Sequence, residues 1–517
     1  MTDRTSGYIA DIGYTHGYYP QLHPARAHLA LLGRGLAPPP AGPCCELGFG
    51  QGISTNIHAA AGGGDWWGTD FNAEQAAFAQ GLARASGASA RLADQAFAEF
   101  CARDDLPDFA FIGLHGIWSW VSEDNRTLLV DFIRRKLLPG GLVYLGYNTL
   151  PGWAAFWPMR QLMLQAGNTL AGPGAASGDR VDKALEFAQR VMAQEPVSGR
   201  INPAVGMRLK GLPAKGRDYL AHEYFNGDWQ PMVFDEMARR LAPAGLEFAG
   251  SAMFANDVTA LDFTPGQEAF LADIADPTLR ESTRDFMLNT QFRKDYWVKG
   301  ARRLDAAEQL AHMRELRLVL ARPRSRVSLT FTGSQGDTTL DADRLAPLFE
   351  ALAGHQPVAL GELQDRVAAH GMSLVQLYQT LLLLADRNDV APAQDAAAIA
   401  AARPRTARLN AALLEWAPAG ERSISTLASP VTGGGVAVLR TEQLMLLAMQ
   451  RAEQAREPVG MDVELLMRRL QPIVVAENLR IRESGQMLGM DASLQSLREE
   501  AGRFFAQMLP AYRGLGL

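Results

Sequence analysis

Between residues 43 and 148 the chain alternates short apolar runs with longer helical patterns, and this alternation limits the folds it can adopt. Asn72 and Ser122 stand where helix N-caps are expected, and the run 139–141 (Pro-Gly-Gly) is expected to end the helix that Ser122 begins. Strands alternating with helices of this length form right-handed βαβ units, so we predict an α/β fold with a parallel sheet and helices on both faces. The predicted strands are PCCELGF, DWWGTDF, ARLADQ, DFAFIGLH and LVYLGYNT.

The first of these strands runs into a glycine-rich stretch, CCELGFGQG, at residues 44–52. After Glu46, glycine occupies every second position, at Gly48, Gly50 and Gly52. A phosphate-binding loop needs a Lys-Ser/Thr pair after its last glycine, but Ile53 and Ser54 follow here. A dinucleotide site needs G-x-G-x-x-G rather than G-x-G-x-G. The spacing therefore disfavours both ligands.

Polar residues stand at the ends of the next three predicted strands. Asp70 ends the second strand, Asp94 and Gln95 end the third, and Leu114 and His115 end the fourth. In an open α/β sheet, ligands bind in the crevice outside the carboxyl ends of the strands. A carboxylate at Asp70 can accept both hydroxyls of a ribose, whereas it would repel a phosphate. The alternative is that the glycines make a tight turn and Asp70 caps a helix.

The pattern E-x-G-x-G-x-G, with the polar strand ends, resembles motif I of the class I S-adenosylmethionine-dependent methyltransferases. The resemblance implies a Rossmann-like methyltransferase sheet and S-adenosyl-L-methionine as the cofactor. In that family the glycines let the methionine part of the cofactor lie against the backbone, and the acid lies near its ammonium group. The implied cofactor-binding residues are Tyr18, Tyr19, His23, Glu46, Gly48, Gly50, Gly52, Asp70, Phe71, Asp94, Gln95, Leu114 and His115.

Three further stretches resemble proteins that carry a methyltransferase regulatory domain, among them the rickettsial outer-membrane-protein lysine methyltransferases. They are YTHGYYPQLHPARAHLALLG, LHGIWSWVSEDNR and YLAHEYFNGDWQPMVFDEM. The resemblance covers most of the chain and is strongest over residues 14–150 and 219–300. It implies that Tyr18, Tyr19 and His23 form an N-terminal lid over the cofactor; the alternative is aromatic packing in a turn.

The subfamily resemblance points to a protein lysine amine as the methyl acceptor. A lysine acceptor must arrive neutral, so its site should desolvate it and offer aromatic contacts. The candidate catalytic residues are His115, Trp118, Tyr147 and Asn148, and the candidate substrate-binding residues are Trp118, Trp120, His222 and Glu223. For the tryptophans core packing is the alternative, and for His222 and Glu223 a helix cap. His115 suits a positioning role better than that of a base.

Two other function classes stay open at the level of the sequence. One is an O- or N-methyltransferase acting on a small molecule or an envelope glycan. The other is a cofactor-binding regulator without catalytic activity. No N-P-P-Y-type tetrapeptide follows the fourth strand, which disfavours methylation of a planar base or amide.

Composition patterns divide the rest of the chain. The last two strands of the sheet are expected at LEFAGSAMF and FRKDYWVKG, and three short helical patterns after residue 340 resemble a winged-helix module. The predicted units are an N-terminal lid (1–40), the cofactor-binding core (41–150), a helical insertion (151–218), the regulatory segment completing the sheet (219–300), a winged-helix-like module (301–400) and an α+β C-terminal region (401–517).

Bulk composition constrains location and partners. A net charge of −6 and few basic residues in the last helix of the winged-helix-like pattern argue against nucleic acid as the main partner. The three cysteines offer no metal site, and no apolar signal core or membrane span is visible. We therefore expect a cytoplasmic enzyme without a metal, whose partner is its methyl acceptor; a dimer is an option that no motif decides.

Overall fold

A seven-stranded sheet forms the centre of the protein in the computed structural model, which describes residues 16–418, 424–483 and 486–517. The first fifteen residues of the predicted lid lie outside the described residues. The strand order is β3-β2-β1-β4-β5-β7-β6. The strands are β1 (Cys44–Leu47), β2 (Trp66–Asp70), β3 (Ala90–Asp94), β4 (Phe109–Leu114), β5 (Leu137–Asn148), β6 (Leu246–Ser251) and β7 (Phe292–Lys299).

The sheet has the topology that positions a ligand crevice. Strands β1 to β5 pair in parallel, and β7 runs antiparallel to both β5 and β6. The chain order reverses between β1 and β4, so their carboxyl ends splay apart at a topological switch point. The predicted parallel α/β sheet is confirmed, including the late strand pair β6 and β7.

Helices cover both faces of this sheet. On one face α1, α2 and α3 pack, and on the other face α4 and α5 pack with a helix from the middle of the chain. Asn72 and Ser122 cap α3 and α5, as the sequence predicts. The helices are α1 (Pro24–Gly33), α2 (Ile53–Ala61), α3 (Ala73–Ser86), α4 (Phe97–Cys101) and α5 (Glu123–Lys136).

The end of α5 differs from the sequence prediction. The helix ends at Lys136, before the run 139–141 that was expected to stop it, and β5 begins at Leu137. Leu137 pairs with Phe109 of β4, and the register then shifts before Phe111 pairs with Leu142. The Pro-Gly-Gly run therefore lies in an irregular strand start, because the backbone of β4 is already available for pairing there.

Helices dominate the middle of the chain. Those from α6 to α11 enclose their own aromatic core beside the carboxyl end of β5, α12 packs on the sheet, and α13 and α14 connect β6 to β7. They are α6 (Leu150–Trp153), α7 (Trp157–Leu170), α8 (Ser177–Met192), α9 (Val197–Ile201), α10 (Pro203–Gly211), α11 (Arg217–Tyr224), α12 (Phe234–Leu241), α13 (Pro265–Asp273) and α14 (Pro277–Leu288).

Residues 301–395 contain the three predicted short helices, α16 to α18, beside a three-stranded antiparallel sheet in the order β11-β8-β12. The predicted strand RVSLTFTG contributes β9 to a separate hairpin with β10. The winged-helix assignment stays a prediction. The elements are α15 (Ala306–Glu315), β8 (Arg317–Leu320), β9 (Thr330–Gly333), β10 (Gly336–Thr339), α16 (Ala342–Leu352), β11 (Val358–Ala359), α17 (Leu360–Ala368), α18 (Leu374–Asp386) and β12 (Val390–Pro392).

The remaining elements pack against the sheet domain. Helix α19 lies across α2 and α3, and the β13–β14 hairpin contacts α2. No helix in the described ranges has the length and apolarity that crossing a membrane requires. These elements are α19 (Ala396–Leu414), β13 (Thr426–Ser429), β14 (Gly434–Ala437), α20 (Arg440–Gln454), α21 (Val463–Ala476), β15 (Arg482–Glu483), β16 (Gln486–Met487), α22 (Met490–Arg503) and α23 (Leu509–Gly514).

Candidate active site

The glycine stretch forms the turn between β1 and α2 at the crevice. All three glycines have positive φ, +76° at Gly48, +57° at Gly50 and +66° at Gly52. Residues with a Cβ rarely adopt this left-handed conformation, which explains why glycine occupies all three positions.

The three glycines meet different surroundings. A Cβ on Gly48 would collide with the side chain of Ile117, and a Cβ on Gly52 would lie 2.5 Å from the Cβ of Ala79 in α3. A Cβ on Gly50 would meet only Gln75, at 3.7 Å. Two glycines therefore allow close packing of protein on protein, and Gly50 leaves the space in which a ligand could approach the backbone.

Asp70 is held at the end of β2 by backbone donors. The Gly50 N–H donates to its Oδ2 at 2.8 Å, and the Asn72 N–H donates to its Oδ1 at 3.0 Å. Burial raises the pKa of Asp70 to about 6, and hydrogen bonds from the backbone of Asn72, Gly50 and Phe71 oppose the rise. A carboxylate can accept hydrogen bonds at both of its oxygens. This arrangement suits a vicinal diol.

Glu46 is a buried acid beneath the glycine turn. The Thr55 hydroxyl of α2 donates to its Oε2. Burial raises the pKa of Glu46 to about 8, with a smaller contribution from the charge of Asp70. A cationic group nearby would favour the ionised form. The acid at the start of the motif therefore suits a cationic ligand such as an ammonium.

His115 lies beyond the end of β4 between two tyrosines. Its ring stacks on Tyr19 with the ring centroids 3.6 Å apart, and its Nδ1 is 2.8 Å from the Tyr144 hydroxyl. The Tyr19 N–H donates to Ser54 Oγ at the start of α2. Burial lowers the pKa of His115 to about 3, so its imidazole is neutral near pH 7. His115 suits positioning better than proton abstraction.

Tyr18 and His23 contact the β13–β14 hairpin. The Gly435 N–H donates to the Tyr18 hydroxyl at 2.7 Å, and His23 Nε2 bonds the Gly433 carbonyl at 2.7 Å. Tyr18 also lies 3.1 Å from His58 Nε2. Of the three predicted lid residues, the structure brings only Tyr19 into contact with His115.

The other predicted cofactor residues lie at the expected strand ends. Asp94 ends β3 and pairs in register with Asp70 of β2, and the Gln95 N–H donates to the Asp70 carbonyl at 3.1 Å. Phe71 follows β2 and is half-buried. Leu114 is fully buried in the core beneath the crevice. The crevice edge therefore combines polar groups from β2 and β3 with an apolar floor.

Trp118, Trp120 and Tyr147 are buried side chains on the predicted acceptor side. Trp118 is fully buried, and its indole N–H contacts Met232 Sδ at 3.3 Å. Trp120 belongs to the aromatic core that helices α6 to α11 enclose, beside Trp229. The buried Tyr147 hydroxyl donates to Asp295 Oδ2 at 2.8 Å. In this structure all three contribute to packing, the alternative that the sequence allowed for the tryptophans.

Asn148 ends β5, and its amide oxygen accepts from Trp153 Nε1 at 3.0 Å. Its Nδ2 has no hydrogen-bond partner within the described residues, although the side chain is 3% exposed. His222 and Glu223 lie on α11, where burial raises the pKa of Glu223 to about 7. Asn148 therefore has a buried donor, unpaired among the described residues, at the end of β5, whereas His222 and Glu223 lie near the start of the segment predicted to be regulatory.

The sequence prediction missed two residues that contact the candidate site. Thr55, in the first turn of α2, donates to Glu46, and Tyr144 of β5 contacts His115. A hydroxyl in the first turn of the helix after a glycine motif could have flagged Thr55. Nothing in the apolar run LVYLGYNT separates Tyr144 from core residues.

These observations fit the cofactor that motif I implies. Glu46 suits its ammonium, Asp70 suits its ribose hydroxyls, and the open side of Gly50 lies between them in the chain. Tyr19 and His115 present a stacked pair of rings at the fourth strand end. No group of three His, Cys, Asp or Glu residues in the described ranges is arranged to hold a metal ion.

Comparisons with known proteins find one relative that matches along nearly the whole chain and others that match parts of it. Residues 216–299 match the family described as predicted methyltransferase regulatory domain. The uncharacterized protein sll1526 of Synechocystis sp. is 35% identical over 517 residues, which cover 99% of each chain. The uncharacterized protein RP789 of Rickettsia prowazekii is 26% identical over 202 residues, 37% of this chain and 35% of that protein.

The fold has a match among solved structures. PKMT2 from Rickettsia typhi, solved in complex with AdoHcy, superposes with a TM-score of 0.66 at 15% sequence identity. The match covers 98% of this chain and 99% of that one. The two chains therefore share their fold from the cofactor crevice to the C-terminal elements.

Proposed function

Because the chain belongs to the family of class I S-adenosylmethionine-dependent methyltransferases that carry a methyltransferase regulatory domain, we propose that it methylates the side-chain amine of a protein lysine. The observation that carries this proposal is the extent of the match to PKMT2, which covers 98% of this chain rather than its cofactor-binding core alone. A small-molecule acceptor would give no reason for so large a region beyond the sheet, whereas an extended protein acceptor could use that region as a binding surface.

The crevice residues divide the work of holding the cofactor. When bound, S-adenosylmethionine supplies a methyl group on a sulfonium, which a lone pair can attack in line. In our proposal Asp70 accepts from the ribose hydroxyls while the Gly50 and Asn72 N–H groups fix its carboxylate. Glu46, oriented by Thr55, pairs with the ammonium. Together these contacts orient the cofactor.

The neutral His115 suits an amine acceptor. A lysine amine must lose its proton before it can attack, and a nearby cation would lower the pKa of that amine but also repel its protonated form on entry. Because burial lowers the pKa of His115 to about 3, His115 adds no positive charge at pH 7. With that pKa it is also a weak base, so we assign it positioning of the crevice wall through Tyr19 and Tyr144.

Asn148 offers a contact for a peptide backbone. Its oxygen is occupied by Trp153, which leaves the Nδ2 donor without a partner in the part of the chain that the structure describes. A peptide carbonyl is a suitable acceptor for that donor. We therefore propose that Asn148 positions the acceptor chain rather than taking its proton.

The proposal is tested by methyl transfer from radiolabelled S-adenosylmethionine to protein fractions of the source organism, followed by hydrolysis and identification of methyl-lysine. We expect labelled lysine in protein, and loss of the label with the Asp70→Ala variant. Asp104→Ala, which removes an exposed acid elsewhere, is the matched control and should keep full activity.

Other outcomes would reject the proposal in different ways. Label confined to low-mass material would support the small-molecule or envelope-glycan alternative. Cofactor binding by calorimetry without transfer to any fraction would support the inactive regulator.

A further inference from the structure

A cavity of about 340 Å³ opens beside β6 and β7, and most of its lining lies in the segment that matches the regulatory-domain family. Helix α14 forms one wall, and residues 253–257 after β6 form another. Gln291 and Phe292, at the start of β7, lie on its side nearest the crevice. No residue of the proposed cofactor site lines this cavity, so it is a separate feature.

One guanidinium holds three carboxylates in the wall of the cavity. Arg293 contacts Asp295 Oδ2 at 2.7 Å through Nε, Asp285 Oδ1 at 3.0 Å through Nη1, and Glu281 Oε2 at 3.0 Å through Nη2. All four side chains are at most 12% exposed. A single positive charge therefore faces three acids in a poorly hydrated setting.

The other charged residues of the lining do not remove this imbalance. Arg34 pairs with Asp257 at 2.8 Å, and Arg284 donates to the Asn256 carbonyl at 2.7 Å. In total the lining carries five acids, Asp257, Asp262, Glu281, Asp285 and Asp295, and three arginines, Arg34, Arg284 and Arg293. The acids exceed the arginines by two, so a cation in the cavity would be favoured.

Asp285 gives a second and independent indication of a ligand. It lines the cavity and is 4% exposed, and its Oδ1 is engaged by Arg293. Its Oδ2 has no hydrogen-bond partner among residues 16–418, 424–483 and 486–517. Buried carboxylate oxygens are rarely left without a donor, because losing the hydrogen bonds of water is costly.

The cavity lies at the same edge of the sheet as the methyl-transfer crevice. Phe292 lines the cavity, and its ring centroid is 6.5 Å from that of His115. Strand β7 is two strands away from β4, which is roughly 10 Å at the usual strand spacing. An extended peptide rises about 3.3 Å per residue, so about three residues span that distance.

Resting on the proposed protein-lysine acceptor, we propose that this cavity binds a second basic side chain of the acceptor, about three residues from the lysine that is methylated. The volume suits an aliphatic stem that ends in a guanidinium or an ammonium. Asp285 Oδ2 accepts a hydrogen bond from the basic group, and the negative charge of Glu281 adds to the attraction. The acceptor is thereby selected by a spaced pair of basic residues rather than by a lone lysine.

Binding of the inferred basic group can be measured without any methyl transfer. The probes are two short glycine–serine peptides with one lysine, carrying either arginine or its neutral isostere citrulline about three residues away on each side. We expect the wild-type protein to bind the arginine peptide about 10-fold more tightly, as one charge-assisted hydrogen bond in a buried site would give. Equal affinities would overturn the inference.

A variant that removes the charge of Asp285 tests whether the preference for the arginine peptide comes from the cavity. Asp285→Asn keeps the Oδ1 contact with Arg293 and replaces Oδ2 by a donor, so the preference for arginine should disappear. Asp273→Asn, a matched change on an exposed face of α13, should keep it. If Asp285→Asn keeps the full preference, the cavity does not bind the basic group. Thermal unfolding and S-adenosylmethionine affinity of both variants show whether the fold is intact.

Methylation of the same peptides separates this inference from the proposed function. A lower KM for the arginine peptide with similar kcat, lost in Asp285→Asn, supports both. If lysine is methylated but arginine and citrulline peptides have equal KM values, only the cavity inference fails. If no protein or peptide lysine is methylated, the proposed function fails, and the inference that depends on it falls even if arginine binds.

Discussion

The two sides of the crevice are built from different parts of the chain. On the cofactor side, backbone N–H groups of Gly50 and Asn72 hold Asp70, within 22 residues of sequence. On the predicted acceptor side, Trp118 and Tyr147 contact partners more than a hundred residues away, Met232 and Asp295. The first side is local and is set by backbone conformation. The second depends on how distant segments pack.

This difference determines what each side can tolerate. A left-handed turn admits few residue types, so substitutions there act through backbone strain and lost ligand contacts. A packed aromatic cluster tolerates changes of shape at modest cost, and it affects the acceptor through the position of neighbouring elements. Variants on the two sides should therefore fail in different ways.

The largest effect is expected from Gly52→Ala on the cofactor side. The new Cβ would lie 2.5 Å from Ala79, at a φ of +66°, so helices α2 and α3 must separate. Strain and overpacking together should cost about 2 to 5 kcal/mol of the free energy of unfolding, measured by chemical denaturation. Gly116→Ala, at a φ of +65° with no atom within 4 Å in the described chain, isolates the strain and should cost about 1 to 2 kcal/mol. Equal losses would show that packing against α3 is unimportant.

Asp70→Ala should have the next largest effect, on cofactor affinity. Two hydrogen bonds from ribose hydroxyls to a carboxylate would be lost, which corresponds to roughly a 100-fold weaker Kd, or about 2.7 kcal/mol. Calorimetry with S-adenosylmethionine measures the change, with Asp104→Ala as the control. An unchanged Kd in Asp70→Ala would remove the assigned cofactor contact.

Glu46 should make cofactor binding dependent on pH. Burial raises the pKa of the free acid to about 8, and the cofactor ammonium would lower it, so binding releases a proton between the two pKa values. Affinity should therefore rise as pH increases towards about 8, by at most about tenfold per unit, and then level off. Calorimetry in buffers of different ionisation enthalpy would detect the released proton. Glu46→Gln should remove the pH dependence; if the slope persists, another group titrates.

The smallest effect is expected from Trp118→Phe on the acceptor side. Loss of the indole contact with Met232 and a small cavity should reduce the free energy of unfolding by about 1 kcal/mol and leave cofactor Kd unchanged. Trp157→Phe is a control at a position that is 44% exposed. A large rise in acceptor KM with unchanged stability would instead place Trp118 in contact with the acceptor, as the sequence first suggested.

The cofactor side could be predicted well from the sequence because its turn depends on the conformation of neighbouring residues, which a local pattern records. Alternation of strands and helices predicted the parallel sheet, and glycine at every second position predicted the turn after β1. The irregular start of β5 was missed, because pairing with β4 overrides the Pro-Gly-Gly signal. Contacts made across the fold, such as His23 with Gly433, leave no local pattern. The sequence around Trp118 would be the same whether the side chain packs in a core or lines an acceptor channel.

Helix α2 has a consequence for how the protein can be made. All nine of its residues are buried, and α19 and the β13–β14 hairpin provide much of the cover. The hairpin also binds Tyr18 and His23, from the segment that precedes the sheet. We therefore expect α2 to stay partly uncovered during synthesis until residues near 437 have left the ribosome. We accordingly expect the nascent chain to depend on chaperones well after β7, the last strand of the central sheet, has been translated.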